Sequence, residues 1–318
     1  MSYGFQTIVH PTDFSDASAT AFSHALRIVL AARSKLYLVH VADSDAFDDG
    51  FPHIRQALSL WNLVNENETP EAVGKLGIKV SKIGLVDDTP LGGLLNFLEA
   101  HPTDLIVIAT HGRDGIDHWL HGSIAEELSR KAKVPTLFIP PTTRGFIDQN
   151  TGGIHLSRVL VPVDQSLPAG ALGIIRGFVR TMNKDASIEL MHVGETRPQI
   201  IEDRTVVPVA LRTGDPAATI LASAEQVDLI SDADKRPSGY FGRPSRKHDR
   251  TRGSAFPMPG VGRTRQIRLA FWSSQCHIGS HVNKLCYFTA YLAPQSPGEP
   301  LSGLYQQRKS SESAARSD

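Results

Sequence analysis

Cysteine, long apolar stretches and net charge are all scarce in this sequence of 318 residues. The only two cysteines, Cys276 and Cys286, lie near the carboxyl end, so residues 1–275 contain no disulfide framework. No apolar run reaches about 18 residues, the length that a membrane-spanning helix needs. The first residues also lack the charged and apolar regions of a signal peptide. These absences predict a cytoplasmic protein with no membrane partner.

The zero net charge hides two unlike parts of the chain. Residues 1–234 contain 19 Lys and Arg against 29 Asp and Glu, whereas residues 235–318 contain 14 against 4. An acidic body lacks the basic surface that nucleic acids require, so no nucleic-acid partner is expected. The hydrophobic content of 41% is sufficient for the cores of two domains.

Several motifs of catalysis and metal binding are missing as well. The sequence has no Walker lysine, no CxxC and no paired metal motif. Ser15 is not surrounded by a G-x-S-x-G elbow, which argues against a hydrolase nucleophile. We therefore assign neither a catalytic residue nor a metal ligand.

The sequence does contain an internal repeat. Residues 7–26 (TIVHPTDFSDASATAFSHAL) resemble residues 158–177 (RVLVPVDQSLPAGALGIIRG), and KLYLVHV reappears as SIELMHV. Further along, TDLIVIA is answered by VDLI. The repeat predicts a first domain at residues 1–145 and a shorter second domain at 155–241.

Each copy alternates short apolar runs with stretches of helical periodicity. This alternation is typical of an α/β fold, so we expect two tandem open parallel-sheet domains of Rossmann-like type, the second incomplete. The predicted strands of the first copy are residues 7–10, 35–40, 78–84, 105–109 and 136–139. Its predicted helices are residues 12–32, with Ser15 or Asp16 as cap, 90–100 and 124–132.

Ligands of open parallel sheets bind beyond the carboxyl ends of the strands, where the strand order reverses. This rule selects the loops after His10, His40 and Ala109. In the last of these loops, nine residues separate Gly112 from Gly122 and Ser123, which lie at the start of a predicted helix. Glycines allow close backbone approach, and free N–H groups at a helix start favour phosphate. Taken alone, the spacing is equally compatible with a plain turn.

The motifs PTDFSDAS (residues 11–18), LVHV (38–41) and ATHGRDGIDHWLHGS (109–123) together resemble the universal stress protein family in its tandem form. The resemblance implies an adenine-nucleotide-binding domain that takes ATP with Mg²⁺ and at most hydrolyses it slowly, as a regulatory or protective module in stress. Asp13 would contact adenine or ribose, Val41 would offer its backbone to adenine, and the glycine loop would hold the phosphates. The implied nucleotide-binding residues are Pro11, Thr12, Asp13, Val41, Ala109, His111, Gly112, Arg113, Gly122, Ser123 and Ile124. Nucleotide-binding members have glycine where this sequence has Ala109.

Alternatives to these assignments stay open. Asp13 is equally suited to capping the following helix. Ala109 favours a member that acts by protein association without nucleotide, and His10-Pro11-Thr12 is a candidate phosphate-binding segment for a nucleotidyl-transfer enzyme. Strand-end histidines are expected to be hydrogen-bonded neighbours rather than catalysts; these are His10, His40, His111 and His192.

Beyond Ile230 the repeat loses its expected strand, glycine loop and helix. With permitted codons, reading from residue 242 one base later yields DALRGSMTERVVLRSPCPVLAV, which contains the Gly-Ser, the helix and the closing apolar strand found in the first copy. We therefore interpret residues 242–318 as an out-of-frame, disordered basic tail in which Cys276, His277, His281 and Cys286 form no zinc site. A natural divergent tail is the alternative. By resemblance, the closing strands of the two halves pair, so the strand at 134–139 is expected to lack its mate and to drive homo-oligomerisation.

Overall fold

The computed structural model describes residues 4–43, 50–65, 70–110, 124–140, 145–233 and 286–290. Residues 4–140 within this set form a parallel sheet with helices on both faces. The strands are β1 (Thr7–Pro11), β2 (Lys35–Ala42), β3 (Lys79–Val86), β4 (Leu105–Ala109) and β5 (Thr136–Ile139). The helices are α1 (Asp16–Ala32), α2 (Ile54–Leu60), α3 (Pro70–Lys75), α4 (Pro90–Ala100) and α5 (Ile124–Ala132). The α/β fold class and all five predicted strands are confirmed.

The central strands are apolar because helices cover both faces of the sheet. Every residue of β4 is buried. Leu105 and Val107 of this strand pack in the core on the α1 side, whereas Ile106 and Ile108 pack with α4 and α5 on the other. The strand order β3-β2-β1-β4-β5 reverses between β1 and β4. That reversal fixes the edge at which a ligand is expected.

Helix α1 begins four residues later than predicted. The hydroxyl of Ser15 accepts a hydrogen bond from the Ser18 amide at 3.2 Å and caps the helix. Phe14 has a φ of 63°, a left-handed conformation that cannot continue into an α-helix. The prediction of Ser15 as cap is confirmed, and residues 12–15 form a loop between β1 and α1.

A second unit repeats this topology. Its strands are β6 (Arg158–Pro162), β7 (Ser187–Val193), β8 (Ile200–Glu202), β9 (Thr205–Val207), β10 (Val209–Arg212), β11 (Leu229–Ala233) and β12 (Cys286–Ala290). Its helices are α6 (Ala171–Met182) and α7 (Pro216–Ala224). The order β10-β7-β6-β11-β12 matches that of the first unit, while β8 and β9 form a separate antiparallel ribbon.

The sequence repeat is visible in equivalent hydrogen bonds. Asp104 accepts hydrogen bonds from the amides of Gln6 and Thr7, both at 2.9 Å. In the second unit Asp228 accepts from the amides of Ser157 and Arg158, at 2.7 and 2.9 Å. The aspartate before β4 thus holds the start of β1, and the aspartate before β11, the equivalent strand of the second unit, holds the start of β6.

Strand β12 corrects the expectation of an unpaired closing strand. It lies within residues 242–318, interpreted above as a disordered tail. Its backbone pairs in parallel with β11 and antiparallel with β5, where Thr289 lies opposite Thr136. The two units therefore share one ten-stranded sheet. Both edges of β5 are occupied within the chain, by β4 and by β12, so residues 134–139 offer no free strand edge to drive oligomerisation, contrary to expectation.

The two units also share a core. Phe178 of α6 contacts Phe5 and Phe146 edge to face, at centroid distances of 5.9 and 6.3 Å. Residues 145–156, here called the connecting hairpin, link the units and are closed by a bridge between Ile147 and Ile154. Within the described ranges, no helix combines the length and apolarity that crossing a membrane requires.

Candidate functional site

The carboxyl ends of β1, β2 and β4 lie together at the reversal of strand order. Pro11 is paired with Val39 of β2, and Val9 with Ile106 of β4, so the three strands end at similar levels. The fold brings to this edge five of the predicted site residues: Pro11, Thr12, Asp13, Val41 and Ala109. Ile124 begins α5 and is 45% exposed. The other five, His111, Gly112, Arg113, Gly122 and Ser123, lie outside the described residues.

Asp13 is an exposed carboxylate directly after β1. Its Oδ1 accepts hydrogen bonds from the amide and the hydroxyl of Ser15, at 3.1 and 2.7 Å. Ser15, not Asp13, caps α1, so Asp13 supports the cap from outside the helix. An exposed carboxylate in this place can accept hydrogen bonds from a ligand's hydroxyl or amino groups.

Thr12 is buried and holds the loop from within. Its amide donates to the carbonyl of Val39 at 2.9 Å, which extends the pairing of β1 with β2 by one residue. Its hydroxyl oxygen accepts hydrogen bonds from the Phe14 amide at 3.2 Å and from the Ser18 hydroxyl at 2.9 Å. Thr12 therefore fixes the backbone on both sides of Asp13.

His10 is buried beneath the same loop. Its Nδ1–H donates to the Val107 carbonyl at 2.8 Å, and its Nε2 lies 3.4 Å from the Ser18 hydroxyl. Burial lowers the pKa of His10 to about 4, although the Val107 carbonyl and the Asp13 carboxylate partly offset this effect. An enclosed neutral imidazole cannot reach a bound phosphate. This geometry removes the support for a nucleotidyl-transfer enzyme at His10-Pro11-Thr12.

The strand-end histidines are hydrogen-bonded neighbours, as the sequence predicts. His40 donates from Nδ1 to the Thr12 carbonyl at 2.8 Å, and His192 donates to the Val163 carbonyl at 2.9 Å. His10 makes the bond to Val107 described above, while His111 lies outside the described residues.

An aromatic cluster that the sequence analysis missed lies behind the loop. The rings of Phe14 and His40 are stacked, with centroids 4.1 Å apart and an interplanar angle of 28°. Phe51 meets Phe14 edge to face at 5.3 Å. Gly50 lies so close that a Cβ atom there would be 2.9 Å from the Phe14 ring. The signal in the sequence is a lone phenylalanine between polar residues in PTDFSD.

Val41 is positioned by the first turn of α4. A Cβ atom on Gly93 would lie 2.9 Å from Cγ1 of Val41 and 3.0 Å from Cβ of Asp87, so glycine is what permits the helix to approach. Asp87 follows β3 and accepts a hydrogen bond from the Thr89 amide at 3.0 Å. Neither Gly93 nor Asp87 is predicted from the sequence to be part of this edge.

Ala109 ends β4 and is buried. It is not among the described residues with positive φ, so its methyl group fits the strand without backbone strain. The next residue, Thr110, donates its amide to the Ile139 carbonyl at 3.0 Å. The departure from glycine at this position is therefore compatible with the backbone that surrounds it.

Comparison with known proteins gives a family match for the first unit. The model of the Universal stress protein family matches residues 4–140. Universal stress protein MJ0531 of Methanocaldococcus jannaschii is 32% identical over 145 residues, which is 42% of this chain and 82% of that protein. A solved universal stress protein in complex with cAMP is 25% identical, covering 44% of this chain and 99% of its own, with a TM-score of 0.31. A universal stress protein from Archaeoglobus fulgidus is 18% identical, covering 71% and 84%, with a TM-score of 0.46.

Proposed function

The chain belongs to the universal stress protein family, and from this premise we propose that its first unit binds ATP with Mg²⁺. The binding would serve a regulatory or protective role in the stress response, with slow hydrolysis at most. One observation carries the proposal: Asp13, Val41 and Ala109 meet at the edge where the strand order reverses. In open parallel sheets this edge is where ligands bind.

The described half of the proposed site fits a nucleoside. Asp13 offers an exposed acceptor for the hydroxyl groups of ribose or the amino group of adenine. Val41 offers backbone and a half-buried apolar side chain to the base. Thr12 and His40 hold the loop that carries Asp13.

The phosphates would be held by the glycine loop and the start of α5. We propose that Gly112, Gly122 and Ser123 contact the phosphates, together with the neighbouring His111 and Arg113. The support is the sequence spacing and the position of Ile124 as the first residue of α5, where free amide groups favour an anion.

A member that acts by protein association alone is the second candidate. Ala109 stands where nucleotide-binding members have the first glycine of the loop, and this departure favours the candidate. The two candidates differ in one measurable property: the first binds ATP and the second does not.

Titration calorimetry of the full chain with ATP and Mg²⁺ tests the proposal. We expect saturable binding that Asp13→Ala weakens by about tenfold or more, the cost of a lost hydrogen bond to a charged group. Asp164→Ala is the matched control, because Asp164 occupies the equivalent position of the second unit. No binding at millimolar protein and ATP would favour the association-only candidate. Phosphate and pyrophosphate release assays then separate binding from hydrolysis and from nucleotidyl transfer.

A further inference from the structure

The residue after β1 is held at two points by β2. The Thr12 amide donates to the Val39 carbonyl at 2.9 Å, and the Thr12 carbonyl accepts from Nδ1–H of His40 at 2.8 Å. The first bond belongs to the sheet. In the second bond an imidazole replaces the backbone amide that would continue the sheet, at the point where the chain turns toward α1.

We propose that His40 is a positioning residue for the nucleotide site, which it serves by fixing the loop that presents Asp13. Asp13 lies between two residues that His40 contacts. His40 donates a hydrogen bond to the Thr12 carbonyl, and its ring stacks on the Phe14 ring. This inference rests on the proposed nucleotide binding.

Backbone strain at Phe14 supports this role. Phe14 has a φ of 63°, and a left-handed conformation costs a residue other than glycine about 1–2 kcal/mol. Such a conformation persists only where the surroundings determine it. Here the stacked His40 ring, the edge of Phe51 and the Thr12 hydroxyl all hold Phe14. The stacking and the hydrogen bond of His40 thus act on the two sides of Asp13.

The second unit contains the two equivalent hydrogen bonds but not the aromatic stack. The Val163 amide donates to the Met191 carbonyl at 2.8 Å, and the Val163 carbonyl accepts from His192 at 2.9 Å. Asp164 follows Val163 just as Asp13 follows Thr12. At the position equivalent to Phe14 this unit has Gln165, which is not among the described residues with positive φ. The histidine bond is therefore a shared feature, whereas the stack belongs to the first unit.

Two substitutions at His40 separate the hydrogen bond from the ring. His40→Phe keeps an aromatic ring against Phe14 but removes the donor, and we expect it to lower ATP affinity about tenfold. His40→Asn restores a side-chain N–H near the position of Nδ1, and we expect it to recover most of that affinity. His192→Phe is the matched control and should leave binding at the first unit unchanged.

Two measurements compare the three variants with the unchanged chain: calorimetry gives the ATP affinity, and hydrogen exchange gives the protection of the backbone amides of residues 12–15. We expect faster exchange in His40→Phe, protection restored in His40→Asn, and similar melting temperatures for the two. Equal ATP affinity in His40→Phe and the unchanged chain would overturn the inference. So would a loss of affinity that His40→Asn does not recover. If the unchanged chain binds no ATP, the proposed function is wrong. If amide exchange is the same in His40→Phe and the unchanged chain, His40 does not position the loop, whatever the result of the ATP titration.

Discussion

The backbone amide of Ile147 donates a hydrogen bond to Nε2 of His24, at 3.3 Å. This bond ties the connecting hairpin to α1. The other ring nitrogen of His24 donates to the Thr20 carbonyl at 2.9 Å, and the ring meets Phe146 edge to face at 4.9 Å. Because Nε2 acts as an acceptor, the arrangement requires the neutral imidazole.

Acidification should therefore destabilise the protein. Burial lowers the pKa of both His24 and His10 to about 4, from an ordinary value near 6.5. Above pH 6.5 each is neutral in both the folded and the unfolded chain and has no effect. Between pH 6.5 and 4 only the unfolded chain takes up these protons, so the free energy of unfolding decreases as the pH is lowered through this range. The maximum loss is about 3 kcal/mol for each histidine.

Urea unfolding at pH 7, 6 and 5 measures this slope. His24→Gln should remove about half of the dependence between pH 6.5 and 5, because His10 still contributes the rest, whatever the effect of the substitution on stability at pH 7. A dependence on pH that survives in His24→Gln at full size would contradict the role given to His24.

Gly152 of the connecting hairpin should tolerate no side chain. Its φ is 65°, and a Cβ atom there would lie 2.6 Å from Cδ2 of Trp61. Gly152→Ala is expected to cost about 2–4 kcal/mol, from left-handed strain together with overpacking. Gly4→Ala, which adds a methyl group in open space, should change stability little.

A double-mutant cycle isolates the contact between these two residues. In a Trp61→Leu background the collision is relieved, so Gly152→Ala should cost only about 1–2 kcal/mol, the strain alone. Denaturant unfolding of the four proteins supplies the cycle. Equal costs in both backgrounds would show that Trp61 is not what excludes the methyl group.

Ala109→Gly should leave ATP affinity within about threefold of the unchanged chain, because the alanine already fits a strand backbone. The substitution should lower the free energy of unfolding by about 1 kcal/mol, since glycine weakens a buried strand. Calorimetry and urea unfolding measure the two effects. A clear loss of affinity with unchanged stability would mean that the alignment of this loop with the family motif is wrong.

Removal of residues 234–318 should convert the protein into a dimer or larger assembly. The deletion takes away β12 and leaves β5 with a free edge, which is a template for pairing with another chain. Light scattering should give a mass above one chain for this variant. Deletion of residues 291–318 keeps β12 and should leave the mass at one chain. A folded monomer after the larger deletion would contradict the importance of β12 for this edge.

The sequence alone determined the element types and the repeat. Apolar runs of four to eight residues alternate with helical periodicity, because strands covered on both faces must be apolar throughout. Strands β4 and β5 were predicted at their observed bounds. The sequence also predicts that the PTD segment, the end of β2 and Ala109 lie at one edge, because the carboxyl ends of parallel strands meet there.

Only the tertiary structure decided the contacts that hold this edge and join the units. The stack of Phe14 on His40 and the approach of Gly152 to Trp61 join residues far apart in sequence, and no local pattern encodes them. The placement of β12 beside β5 depends on backbone pairing across about 150 residues, which the local composition of a basic segment does not reveal. Local periodicity indicates which side chains of a segment are buried, whereas the segment that packs against them is determined only in the assembled fold.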